Sequence, residues 1–508
     1  MYRFVTIFQL LALSLWGQWS GHAHDPQHTG TSTVAAQSLN SIHWQTPIDT
    51  SGGGQPSGPS GPLFVHYGSP LVTAGNTVIV PVTTASGNYT LQAFSSTTGT
   101  LKYTLTSCIT SGCYTPPALP WIPPYGPALS LGARLYYAGP GGTVFYRTSP
   151  DSATGTMTQL AFYGMTGTNG YTNNQAAFNS AVQISTPITA DRSGNIYFGY
   201  QVTETNPAGL PTGGGIARIS LAGTGKFSSA TSLTADSTTP YIAFNCAPAF
   251  NVNQNTLYVA TSTGGEFGSG YLVSVNASTL VANSFVALND PRAGYGQATV
   301  SSLSSATPMV GPDGDVYYGV LEASCCSSHN DRGWMLHFDS TLTTVKTPGS
   351  FGWDNTASVV PSSAVSSYGG TSSYLIVTKY NNYVGIGTGN GANQVAVLDP
   401  NASQQDEYSS VQVNVMKEVI TVLGVTPNGD SPSVREWCIN TIAVDPITRA
   451  AIINSEDGVV YRWDFTTNSL LQRLTLTPGR SEAYTPTVIG PDGTAFAVND
   501  QILFAVGQ

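Results

Sequence analysis

The chain has 508 residues, 41% of them hydrophobic and only 9% charged, with a formal net charge of -10. A chain of this length buries a large core, and its solubility rests on Ser, Thr, Asn, Gln and Gly rather than on charge. It carries no basic run, which excludes a nucleic-acid backbone as partner, and its acidity is diffuse rather than gathered into a tail.

At the amino terminus Arg3 precedes the apolar stretch Phe4 to Trp16, and Gly21-His22-Ala23 offers small residues where a signal peptidase reads. Residues 1–23 therefore read as a signal peptide, and the chain as secreted or periplasmic. The apolar stretch is short for a bilayer, and no second one approaches the length of about 18 residues that a transmembrane anchor needs. Residues 24–40 and the Gly-, Ser- and Pro-rich residues 51–62 (SGGGQPSGPSGP) read as flexible. Between them, Ser41 to Asp49 (SIHWQTPID) is a lone strand.

From there on, one phrase recurs. A short β-branched and aromatic run begins at Thr77, Arg134, Asn195, Thr256, Asp315, Tyr374, Ala450 and Thr494. Most copies lie about 60 residues apart, and each unit holds four strand-like segments, the signature of a β-propeller. In the first unit the four strands are GSPLVTAG, TVIVPV, YTLQAFSSTTG and TLKYTLTS, here a to d. Strands a open on a small residue and often Pro, as at Thr186-Pro187 and Thr307-Pro308, where no ladder donor is lost. The last unit ends one strand short. Placing Ser41 to Asp49 as its strand d closes an all-β, eight-bladed ring over residues 41–508 and removes an exposed edge. Helix is nearly absent, and only Val415 to Leu423 is ambiguous.

The c–d turns share a phrase of apolar residues followed by Asp or Ser, Thr and Gly, as in LQAFSSTTG at Leu91 and YRWDFTTN at Tyr461. With eight blades, this resembles the pyrroloquinoline-quinone-type repeat of the quinoprotein alcohol dehydrogenases. The Trp that often follows Thr-Gly in that repeat is replaced after Thr98-Gly99 by TLKYTL. The string Cys325-Cys326-Ser-Ser-His-Asn-Asp-Arg332-Gly333 is similar to the Cys-Cys wall that those enzymes place on the quinone. The resemblance implies an alternative reading as a quinone-dependent oxidoreductase with a calcium-assisted site.

Alternating strand direction puts d–a connections and b–c loops on one face, and a–b and c–d turns on the other. The a–b turns are plain, such as GPDG at Gly311 and Gly490. The opposite face holds all six cysteines. Cys108 and Cys113 flank a short loop and are expected to pair. Cys325, Cys326, Cys246 and Cys438 allow a vicinal bond or pairings between loops. The same face holds Trp121, Trp353 and Trp437, which serve either as a stacking platform or as plugs between blades. It also gathers Glu436, Trp437, Asn440, Glu456, Arg480, Glu482 and Tyr484, with His66 entering across the ring closure. These charges read either as a polar ligand or cation site or as an ion-pair network joining the closing blades. No GxSxG elbow, HExxH, CxxCH or phosphate loop is present. The sequence thus points to a binding module for a small molecule, glycan or protein at the channel mouth. A quinone oxidoreductase is the alternative, and a hydrolase or lyase at the mouth a further one.

Overall fold

The computed structural model describes residues 19–51, 65–117, 126–130, 132–323 and 327–508. Eight antiparallel sheets follow one another round a ring, each built from one copy of the repeat. The strands b, from Thr77–Thr83 in blade 1 to Ala495–Asn499 in blade 8, are buried along nearly their whole length. That burial explains their continuous apolar character, because each blade packs on a neighbour on both sides. The hydrophobic clusters accordingly lie between blades: Val460, Val498 and Val80 of blades 7, 8 and 1 share one, and Leu375, Val397 and Tyr461 of blades 6 and 7 another.

Ring closure is as the sequence implies. Ser41–Pro47 pairs antiparallel with Ile502–Gly507 as the outer strand of blade 8, with Trp44 opposite Ala505. The Trp44 ring packs between Phe94 of blade 1 and Phe496 of blade 8, and its Nε1 donates to Ser96 O at 2.6 Å. Gly99 is needed there. Its φ is +67°, and a Cβ would meet the Trp44 ring at 2.6 Å.

One ambiguous segment is settled. Val415 to Leu423 belongs to a strand, Asn414–Leu423, which forms a long hairpin with Gln394–Gln405 in blade 6. That hairpin overhangs blade 5, whose own fourth segment is irregular. Met416 N donates to Pro348 O, and Val413 and Val415 join the core around Leu336 and Phe338. Short helices, Gln175–Ala181 and Ala230–Thr234, occupy d–a connections.

The largest departure is residues 19–40. Residues 24–40 read as flexible and residues 19–23 as the end of a signal peptide, yet together they form a strap around the inside of the channel. Trp19 exchanges two hydrogen bonds with Val72 of blade 1, and Leu129 N of blade 2 donates to Ser20 O. Phe250, Val310 and Val359, of blades 4, 5 and 6, donate through their N–H groups to Pro26, Gln27 and Thr29. The strap then bonds Val444 of blade 7 from both Gly30 and Ser32, and Gln37 N reaches Gly493 O of blade 8. The physical reason is that an innermost strand presents an unpaired edge to the channel, and one chain running past satisfies those of blades 1, 2 and 4 to 8. Gly30 has φ +61° and lies so close to Ser358 that a Cβ would clash at 2.3 Å. The strap closes the end of the channel that carries the a–b turns. Residues 1–18, nearly all of residues 51–62, Trp121, and Cys325 with Cys326 lie outside the described residues.

Candidate functional site

At the opposite end, segments leading into strands a converge on the channel mouth. His66, entering blade 1, spans the channel to blades 5 and 6. Its Nδ1 is 2.7 Å from Ser305 Oγ and its Nε2 3.0 Å from Asp354 Oδ2. The imidazole stacks on Tyr484 of blade 8, with ring centroids 4.5 Å apart. Burial alone would raise Asp354, but the attraction and hydrogen bond of His66 outweigh it and hold the carboxyl below its usual range. Ser305, His66 and Asp354 touch in the order of a nucleophile, base and carboxylate. However, Asp354 Oδ1 also accepts from the Ser305 N–H at 2.9 Å, and Asn440 Nδ2 donates to Ser305 Oγ at 3.0 Å. All are buried, so the arrangement is a closed brace across the mouth rather than an open catalytic relay. Beneath it lies a cavity of about 20 Å³ bounded by His66, Tyr484, Ser305, Asn245 and, from the strap, His22. That space holds about one water.

Beside the brace is a second group. Glu456 of blade 7 is buried and accepts from the Glu436 N–H at 3.1 Å, from Arg480 Nε at 3.2 Å and from the Cys438 thiol at 3.5 Å. Cys438 also lies 3.7 Å from Glu436 Oε2. Burial, and then the proximity of Glu456, push Glu436 up to about 7. Burial, and then both glutamates, raise the Cys438 thiol well above its ordinary range. Against this cluster sits Lys379, on strand b of blade 6 (Tyr374–Tyr380) and only 1% exposed. Its Nζ lies over the Tyr484 ring at 5.0 Å and the Phe351 ring at 5.8 Å. Among the described residues it makes no hydrogen bond and has no carboxylate oxygen within 4.0 Å. Burial lowers its pKa, against the opposing pull of Asp354, Cys438 and Glu436.

The structure thus brings His66, Asn440 and Tyr484 together at the mouth, with Glu436, Glu456 and Arg480 beside them. It does not bring Trp437 or Glu482 there. Trp437 is buried between blades 6 and 7, with Nε1 donating to Asn393 O and its ring edge-on to Tyr461. Glu482 is buried beside Asp500; its Oε1 accepts from Tyr484 N, its Oε2 has no partner, and burial raises it well above the carboxylate range. Trp353 packs against the core between blades 5 and 6. Cys108 and Cys113 form the expected disulfide. Cys246 and Cys438 are free and buried rather than paired. Arg332 is enclosed between Tyr380 and Tyr408 and donates to Ser350 O and Asn381 O, bracing blades 5 and 6.

Sequence reasoning missed Lys379, Asp354 and Ser305. Lys379 had a signal, a charge inside the otherwise apolar run YLIVTKY, whereas Asp354 and Ser305 sit in polar connections where nothing singles them out.

Comparison with protein-family models and with curated proteins finds no match. Among solved structures, a europium-containing methanol dehydrogenase superposes with a TM-score of 0.54 at 11% identity, over 95% of this chain and 89% of that one. The quinohemoprotein alcohol dehydrogenase of Comamonas testosteroni gives 0.54 at 12% identity, over 96% of this chain and 76% of that one. Saccharomyces cerevisiae Sqt1 gives 0.51 at 10% identity, over 94% and 100%. The fold is an eight-bladed propeller, which this chain shares with those dehydrogenases. Likeness at this identity carries architecture and no chemistry.

The chemistry of that fold family is testable against the mouth itself. A tricyclic quinone needs a slot of several hundred Å³, and the described side chains there close on one another around about 20 Å³. One of the carboxylates that would face calcium, Glu456, already has Arg480 as its counter-charge. The described residues do not fit a quinone with calcium. Larger grooves, about 490 and 240 Å³, lie at the outer rim between blades 1 and 2 and between blades 4 and 5. In the second, Asp290 is paired with Arg292, and His337 and Lys346 with Asp315.

Proposed function

We propose that the protein is a binding module whose channel mouth takes a small ligand bearing an acceptor oxygen, a carboxylate above all, against Lys379. One observation carries this reading: a lysine 1% exposed whose Nζ lacks any acceptor among the described residues. An unpaired buried ammonium is costly, and strongly perturbed groups gather where a ligand supplies the missing partner. Half-buried Glu436 acts electrostatically on Lys379, and Arg480, its side chain 33% exposed, pairs with the neighbouring Glu456. Calorimetric titration with glycolate tests the reading. Wild type is expected to bind and Lys379→Met to lose binding without losing its fold; equal heats from both would refute it. The quinone alternative predicts a cofactor spectrum on adding pyrroloquinoline quinone and calcium, and none is expected.

Export belongs to the same proposal. The amino-terminal leader and the Cys108–Cys113 disulfide support a secreted or periplasmic setting. Among the described residues no helix is long and apolar enough to cross a membrane. Because Trp19 is fully buried and paired with Val72, cleavage ahead of Trp19 suits the strap better than cleavage after Ala23. Amino-terminal sequencing of the exported chain decides between them.

A further inference from the structure

We propose that the groove between blades 4 and 5 binds a small amphiphilic carboxylate, its headgroup on Lys346 and its hydrocarbon chain among Val286, Leu336, Phe338 and Val345. This site lies at the outer rim, apart from the channel mouth, and does not depend on Lys379. The groove follows from an irregularity in the repeat. Blade 5 has three regular strands, the last of them Trp334–Phe338. The segment after it meets that strand at isolated bridges, Val345 to Phe338 and Gly349 to Met335, and Pro348, which cannot donate to a ladder, lies between them. Where other blades place a fourth strand, blade 5 leaves a groove of about 240 Å³ against strand Ala282–Ala287 of blade 4. That is many times the space of one water. Most of the lining is apolar, and within it Val345 is left 66% exposed.

The polar part of the same lining carries an excess of positive charge. Asp315 Oδ2 receives two cations, His337 Nε2 at 2.9 Å and Lys346 Nζ at 2.5 Å. His337 Nδ1 lies 3.2 Å from Thr347 O, so both ring nitrogens face oxygen acceptors and each carries a proton. The ring also stacks on Tyr317, with centroids 4.4 Å apart. Asp315 is ionised: burial alone would raise it, but the bonds of His337 and Lys346 prevail and lower it. In the same wall Asp290 is neutralised by Arg292, which meets its two carboxylate oxygens at 2.9 and 2.6 Å. Three cations thus stand against two carboxylates, in a chain whose net charge is -10. Asp313 and Asp339 do not line the groove; Asp313 accepts from the Tyr374 hydroxyl, and Asp339 from Thr341 and Thr343 of its own turn. Lys346, its side chain 35% exposed, gives one donor to Asp315 and makes no other side-chain hydrogen bond among the described residues. A carboxylate supplies the missing negative charge through charge-assisted bonds, and an aliphatic chain covers the apolar walls.

The test is calorimetric titration of the full chain with octanoate. Wild type is expected to show saturable binding, with hexanoate, two methylenes shorter, about tenfold weaker. 1-Octanol keeps the chain and lacks the charge; it is expected to bind at least about tenfold more weakly, and equal affinity would overturn the headgroup assignment. Lys346→Met and, independently, Val345→Asp are each expected to weaken octanoate binding at least about tenfold, with Lys346→Arg close to wild type. Because Val345 is exposed, its replacement probes the groove with the core untouched. Lys379→Met is expected to bind octanoate as wild type does, whatever glycolate does at the mouth. No saturable heat from wild type, or octanoate binding unchanged in either groove variant, overturns the proposal.

Discussion

The two ends of the channel are closed by opposite means. The floor is a strap, residues 19–40, held mainly by backbone hydrogen bonds to successive innermost strands. The roof is made of side chains, with His66 bridging to Ser305 and Asp354 under Tyr484 and the Glu436–Cys438–Glu456 group beside them. Backbone closure depends little on residue type and builds a seal. Side-chain closure depends on each residue's chemistry and leaves one of its members, Lys379, unpaired.

That contrast is breakable, first at the floor. A chain beginning at Asn40 keeps Ser41–Pro47 yet loses buried Trp19 and every strap bond. We expect a loss of about 5 kcal/mol or more in urea unfolding, and an unchanged midpoint would reduce the strap to decoration. Trp44→Ala attacks ring closure at one side chain. With its packing on Phe94 and Phe496 gone, about 2–4 kcal/mol should be lost.

The pH dependence sharpens the comparison, because the floor's buried histidines and the roof's Glu436 respond with opposite sign. Burial, and then its neighbour His28, hold His22 at about 3; burial holds His28 at about 4 against its bond to Pro308 O and the pull of Asp25. Asp25 itself is lowered: burial opposes the shift, but the bonds and charge of His24 and the bonds of Thr29 prevail. Unfolded histidines take up protons from about pH 6.5, so the floor's contribution is full above that value and lost as pH falls toward 4. Glu436 of the roof is raised, so its contribution is full below about 4.5 and lost as pH rises through about 7. Replacing His22 and His28 by Gln should flatten the acid limb of urea midpoints, and Glu436→Gln the neutral limb. If both replacements flatten the same limb, the division between floor and roof is wrong.

Two smaller effects remain, one in the roof and one outside it. Lys379→Met, an apolar near-isostere for an unpaired buried charge, should raise stability by about 1–2 kcal/mol in thermal melts while glycolate binding is lost. Glu482→Gln should change stability by less than about 1 kcal/mol, because a carboxyl held protonated is already close to an amide in shape and charge.

The legibility of the sequence follows the same division. Strands b and ring closure were readable because burial on both faces imposes apolar runs and because the last blade lacks a strand. His66, Tyr484 and Glu456 were readable as unusual residues on one face. The strap was not, since His22, Asp25 and Gly30 work through local turns and main-chain bonds, and a polar, Gly-containing stretch reads the same whether free or clamped. Trp437 was ambiguous for a different reason: a d–a connection places a ring near the mouth, and only the neighbouring blade decides whether it turns into the core.

The pairing of Ser41–Pro47 with Ile502–Gly507, close to where His43 meets Gln508 O, bears on how the chain is made. The early segment needs a partner synthesised several hundred residues later, on the order of a minute at usual translation rates. Until then blade 8, the floor and the outer edge of the ring are all incomplete. A chain broken off in its final blade would leave Trp44 and the end of the strap exposed together. Joining two segments so far apart in the chain therefore leaves any product that stops short of Ile502 open to proteolysis.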